Sequence, residues 1–102
     1  MVGVYTIFYA KEAAKDAKKL KAAFLDQKAK ALIDILRANP YQRPPAYEKL
    51  QGDLAGLYSR RINRKHRLVY AVEEKSRQIK ILSLWSHYER VPEEERKETE
   101  TA

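Results

Sequence analysis

The chain has 102 residues, 44% of them hydrophobic, with 21 Lys and Arg against 14 Asp and Glu and a formal net charge of +7. That length suits one domain with a modest core. The absence of cysteine excludes disulfides and thiolate metal sites, so a stapled, secreted scaffold is not expected. No apolar run approaches the roughly 20 residues of a membrane span, and no basic leader precedes the apolar Val2–Ala10 stretch. A cytoplasmic location is therefore the expectation.

In chain order, Val4 to Tyr9 is rich in β-branched and aromatic residues and reads as a first strand. Lys11 to Ala38 contains neither Gly nor Pro and is full of helix formers. Ala13, Ala14, Ala17 and Leu20 suggest one apolar stripe. Leu25, Ala29, Leu32, Ile33 and Leu36 suggest another, at the spacing of a buried helix face. One straight helix over that stretch would run about 42 Å, against a radius of gyration of about 13 Å for a domain of this size. Two helices folding back near Lys21-Ala22-Ala23 are therefore expected. Asn39-Pro40 ends the second, because the proline ring disfavours helical geometry at Asn39. Tyr41 to Ala46 reads as a non-repetitive connection.

Strand-like segments follow at Glu48–Gln51, Leu57–Ile62, His66–Val72 and Gln78–Trp85, separated by turns at Gly52-Asp53, Asn63–Lys65 and Glu73–Arg77. Consecutive strands joined by short turns give an antiparallel sheet, and the two helices must cover one face. The expected fold is α+β in two layers. Residues 1–88 form the expected single domain. From Glu89 to Ala102 six glutamates face three cations, so a flexible acidic tail is expected. That tail is formally −3, which leaves about +10 on the body, a charge suited to nucleic acid or another polyanion. A basic domain without such a partner is the alternative.

Polar residues concentrate between Glu48 and Tyr88. Arg60 and Arg61 are neighbours on one strand and should point to opposite faces. Arg67 lies just inside the next strand, and His87-Tyr88 follows the last. Glu, His and Arg together suit phosphodiester cleavage at a ribose. The reaction needs a base for the 2′-hydroxyl, an acid for the departing 5′-oxygen, and a fixed cation where the phosphorane gathers charge. Arg suits the last role because its planar fork binds two phosphate oxygens. No metal is required, and two distant histidines without cysteine form no recognised ligand spacing. Residue types alone leave alternatives open. Glu48 also reads as a solvated surface acid, Arg60 and Arg61 as ordinary sheet charges, and His87 as a surface residue. Trp85 and Tyr70 read as core, and His66 is given no role.

Tyr47-Glu48-Lys49-Leu50, then Leu54-Ala55-Gly56-Leu57-Tyr58-Ser59-Arg60-Arg61-Ile62, then His66-Arg67-Leu68-Val69-Tyr70-Ala71-Val72, and finally Trp85-Ser86-His87-Tyr88, taken together, resemble the Txe/YoeB family of toxins. That family lies within the RelE-like group of type II toxin–antitoxin modules. The resemblance spans residues 3–88 and implies a microbial ribonuclease-like fold. It implies a ribosome-dependent mRNA endoribonuclease, acting at the A site, leaving a 2′,3′-cyclic phosphate and needing no cofactor. It also implies a YefM/Phd-type antitoxin that masks the site, and it leaves a homodimer open. Matched residue by residue, Glu48 takes the general-base position, Arg67 the phosphate-stabilising position and His87 the general-acid position. Tyr88 takes an RNA-orienting position and Arg61 a second basic one. Arg60 and Lys49 are further candidate RNA contacts, although alternation should turn Lys49 away from Glu48. Two departures stand out. Gln51 occupies a position where the family pattern often has Lys, and the chain continues past His87-Tyr88. A non-catalytic RNA- or ribosome-binding module, or an inactive homologue, is the alternative, and a purely structural partner of a regulatory protein is a third.

Overall fold

The computed structural model describes residues 4–85. His87, Tyr88 and the expected acidic tail lie outside the described residues. The elements are β1 (Thr6–Tyr9), α1 (Lys11–Ala22), α2 (Asp26–Ala38), β2 (Glu48–Lys49), a 3₁₀ turn (Gly52–Leu54), β3 (Leu57–Arg61), β4 (Arg67–Glu73) and β5 (Gln78–Ser83).

The helical hairpin forms as expected, with its break slightly later, at Ala23–Leu25. Phe24 sits there at φ 61°. Leu25 N–H donates to Leu20 O at 2.8 Å and Phe24 N–H to Lys21 O at 3.1 Å. This is a Schellman ending, whose left-handed position is usually glycine. Among the α1 residues, Ala13, Asp16 and Leu20 are buried, whereas Ala14 and Ala17 are exposed. The stripe expected from alanines alone is thus corrected, because a buried carboxylate at Asp16 occupies its centre. In α2 the buried residues are Ala29, Ile33 and Leu36, with Leu25 and Leu32 packed partly beside them. The helix ends at Asn39, whose backbone is extended, as the following proline requires.

The five strands run in the order β1-β5-β4-β3-β2. From β2 to β5 all neighbours are antiparallel, as consecutive short-turn strands demand. The first strand instead lies parallel to the last. The helical hairpin returns the chain across one face before the meander begins, which makes the sheet mixed at that edge. The helices cover Leu68, Tyr70, Ile79 and Ile81, which join Tyr5, Ile33, Leu36 and Leu84 in the main core. On the other face a smaller cluster gathers Leu50, Leu54, Leu57, Val69 and Leu82. Gly56, at φ 95°, turns the chain into β3 in a conformation that L side chains rarely adopt.

Arg60 organises the β2–β3 edge. Its side chain is only 1% exposed. The guanidinium donates to the carbonyls of Pro45 (2.7 Å), Pro40 (3.0 Å) and Gln42 (2.9 Å), and Nε donates to the Tyr70 hydroxyl at 3.3 Å. Tyr70 in turn donates to Pro40 O at 3.0 Å. Burial pushes the Tyr70 phenol up, with Arg60 opposing. One buried cation therefore satisfies a proline-rich segment whose carbonyls have no strand partner. Tyr58 stacks on Tyr70 at 5.4 Å and meets Tyr41 and Tyr47 edge-on at 5.9 and 5.7 Å. At the far end of this aromatic group Glu74 accepts from Tyr5 at 3.1 Å and Tyr41 at 2.5 Å. That links the residue just before β1, the post-helix loop and the β4–β5 turn.

Candidate active site

Alternation along β3 sends Ser59 and Arg61 to the face not covered by the helices and Tyr58 and Arg60 toward them. Register then does the assembly. Glu48 lies opposite Ser59, and Arg61 lies opposite Arg67. Three short strands thus bring Glu48, Ser59, Arg61 and Arg67 to one pocket of about 370 Å³, completed by Pro45, Ala46 and Tyr47. Arg67 Nη1 donates to Glu48 Oε1 at 3.0 Å and to Ser59 Oγ at 3.1 Å.

The energetics favour function over stability. The Glu48 side chain is 61% exposed and that of Arg67 20%. An ion pair this accessible contributes under about 1 kcal/mol. Arg61 and Arg67 are directly opposite each other on one sheet face, an arrangement of like charges that is itself destabilising. One carboxylate against two guanidiniums leaves the pocket with a net positive charge. An anion reaching Arg67 therefore meets only a weak, accessible contact. Buried Ser59 gives Arg67 a second contact that does not depend on Glu48.

Glu48, Arg67 and Arg61 are therefore brought together. Arg60 is not. Its burial beneath the proline segment stands against the expected RNA contact, because each of its three guanidinium nitrogens donates to a neutral acceptor inside the protein. Lys49 is exposed but does not line the pocket. With Glu48, Leu50 and Gln51 it borders a neighbouring hollow, in keeping with strand alternation and against a direct place beside Arg67. Gln51 stands in that hollow too.

The composition of the sequence did not reveal several supporting residues. Ser59 had no distinguishing signal. The Trp85 ring stacks on His66 at 4.0 Å and 21°, tying the end of β5 to the residue before Arg67. The Asp16 carboxylate, 2% exposed, accepts from Leu84 N–H at 3.0 Å and lies 3.5 Å from the Ser83 hydroxyl. An acid set between Ala13 and Leu20 on the apolar side of α1 was the available signal. Both devices fix the chain as it leaves the sheet, immediately before Ser86-His87-Tyr88. Among the described residues, no group of three or more His, Cys, Asp or Glu side chains gathers to hold a metal ion.

A helical hairpin on one face of a five-stranded mixed sheet is the fold this chain shares with solved RelE-like toxins. The archaeal RelE–RelB complex of Pyrococcus horikoshii OT3 contains a chain 30% identical to this one, with a TM-score of 0.67 over 81% of this chain and 94% of that one. More narrowly, residues 9–88 match the family described as the YoeB-like toxin of bacterial type II toxin-antitoxin systems, and this chain belongs to that family. The Toxin YoeB of Synechocystis sp. is 39% identical over 59 residues, which are 58% of this chain and 66% of that protein. The match thus spans just under two thirds of that relative's length. The YoeB-YefM complex of Staphylococcus aureus contains a chain 36% identical, with a TM-score of 0.69 over 82% of this chain and 98% of that one.

Proposed function

We propose that this toxin is a ribosome-dependent mRNA endoribonuclease that cuts at the A site by general acid–base transesterification. The observation that supports this most is the Glu48–Arg67 contact of 3.0 Å in a pocket shared with Arg61. Arg67 and Arg61 hold the scissile phosphate and offset the charge that builds on the phosphorane. Displaced from Arg67, Glu48 takes the proton of the ribose 2′-hydroxyl. The 2′-oxygen attacks phosphorus, the bond to the 5′-oxygen breaks, and His87 protonates the leaving oxygen. The products are a 2′,3′-cyclic phosphate and a 5′-hydroxyl. Tyr88 orients the RNA.

In the same proposal the chain works in the cytoplasm, opposed by a YefM/Phd-type antitoxin that covers the basic pocket. The existence of a YoeB-YefM complex in the family supports that partner. Gln51 in place of a basic residue favours one rival, a module that grips RNA without cutting it. Primer extension on ribosome-bound message separates the two. Wild type should leave discrete stops, and Arg67→Ala and His87→Gln should lower their rate of appearance by roughly 10²–10³. Equal cleavage by the variants would end the proposal.

A further inference from the structure

We propose that Pro45, Ala46 and Tyr47 form a nucleobase subsite beside the Glu48–Arg67 pair, with Arg43 as its cationic rim. This rests on the RNA-cleaving function proposed above and names how that site would hold its substrate.

The pocket lining divides into two chemistries. Glu48, Ser59, Arg61 and Arg67 are charged or hydrogen-bonding, whereas Pro45, Ala46 and Tyr47 offer carbon surface and an aromatic ring. A nucleotide has the same division, a charged ribose-phosphate joined to a flat, weakly polar base. The apolar segment is not simply an extension of the hydrophobic core. Pro45 and Tyr47 are half-buried and Ala46 is exposed, and none of the three belongs to either buried cluster.

The segment is also held firmly. Arg60 binds the Pro45 carbonyl at 2.7 Å from below. The Tyr47 ring packs edge-on against Tyr58 at 5.7 Å. The Arg43 guanidinium lies 4.0 Å from the Tyr47 ring centroid, and its Nη2 donates to the Tyr47 carbonyl at 3.4 Å. Arg43 is nonetheless exposed. A flat cation pinned on an aromatic ring at the surface is a stacking partner for an unpaired base, and fixing it before binding lowers the entropic cost of association. Single-stranded RNA reaching the scissile position would thus place a neighbouring base against Pro45–Tyr47 and Arg43.

Fluorescence anisotropy with a short 2′-fluoro RNA oligomer, which lacks the attacking hydroxyl, tests this against oligomers of equal length carrying one abasic position, moved stepwise along the strand. Wild type should bind the intact oligomer roughly tenfold more tightly than one of the abasic set, the effect of a lost stacked base. Tyr47→Ala should erase that difference. Because Tyr47 also packs on Tyr58, the exposed positions supply a second route: Arg43→Ala and Ala46→Asp should each shrink the difference in a folded protein. Equal affinity of wild type for all oligomers, no binding of any, or a preference unchanged in every folded variant would overturn the subsite. Message cleavage that persists in Glu48→Gln would instead sink the nuclease function, whatever the oligomers do.

Discussion

Replacing Arg60 by Met separates a structural arginine from an RNA contact. The side chain is 1% exposed and donates to three carbonyls and the Tyr70 hydroxyl. Hydrogen bonds from a charged donor contribute about 1.5–3 kcal/mol each, but these share one guanidinium and do not add. Leaving a buried carbonyl without its partner costs about 1–3 kcal/mol, out of a total of about 5–15 kcal/mol for a domain. Met fills similar space but leaves the Pro45 and Gln42 carbonyls without this partner. With two carbonyls left unpaired, a loss of about 4 kcal/mol should lower the urea midpoint by roughly 2 M at a typical slope of about 2 kcal/mol/M. Trp85 fluorescence and far-ultraviolet dichroism should report one coincident transition. Because the network is shielded from solvent, the loss should change little between low and high salt. A midpoint shift below about 1 kcal/mol, with RNA affinity sharply reduced, would refute the reasoning and return Arg60 to the binding surface.

Other expectations concern separate parts of the molecule. Phe24 holds φ 61° and is 90% exposed, so Phe24→Gly should raise stability by about 1 kcal/mol through relief of left-handed strain, read as a higher denaturation midpoint. The hydrogen bond from Tyr41, aided by that from Tyr5 and opposed by desolvation, holds the Glu74 carboxyl below its ordinary value. Its contribution is therefore fully present above the unfolded value of about 4.3 and fades as pH falls through the lower folded value. Glu74→Gln should accordingly cost stability at pH 7 and cost much less at about pH 3, in matched urea titrations. Desolvation and the same carboxylate raise the Tyr41 and Tyr5 phenols, so the stability they contribute is present at neutral pH and lost as pH rises beyond about 10. Arg61→Ala removes a cation from the pocket. It should weaken RNA binding and reduce the slope of log affinity against log salt by about 0.7, measured by anisotropy across a salt series.

Much of the architecture was legible because it depends on local pattern. β-branched runs marked β1, β4 and β5, and Asn39-Pro40 marked the end of α2. The hairpin break was harder to place, because its left-handed residue is Phe24 rather than a glycine. The parallel pairing of β1 with β5 has no signature in either strand. It follows from where the helical hairpin returns the chain. Alternation correctly separated Arg60 from Arg61 and turned Lys49 from Glu48. It could not say that the proline segment would close over Arg60, since those carbonyls lie 15 to 20 residues away in the chain. The grouping of Glu48 with Arg67 needed the exact register of three strands, and motif resemblance supplied the pair where residue types alone left it open. Asp16 carried little signal, because an acid on an amphipathic helix is normally solvated.

Cleavage of ribosome-bound message carrying a single 2′-deoxynucleotide at the mapped cut tests the chemistry most directly. If Glu48 activates the ribose hydroxyl while Arg67 and Arg61 hold the phosphate, that message should remain intact while its all-ribose twin is cut to a cyclic phosphate. Scission of the deoxy-substituted message at the same position and a comparable rate would contradict it, because no internal nucleophile would then be needed.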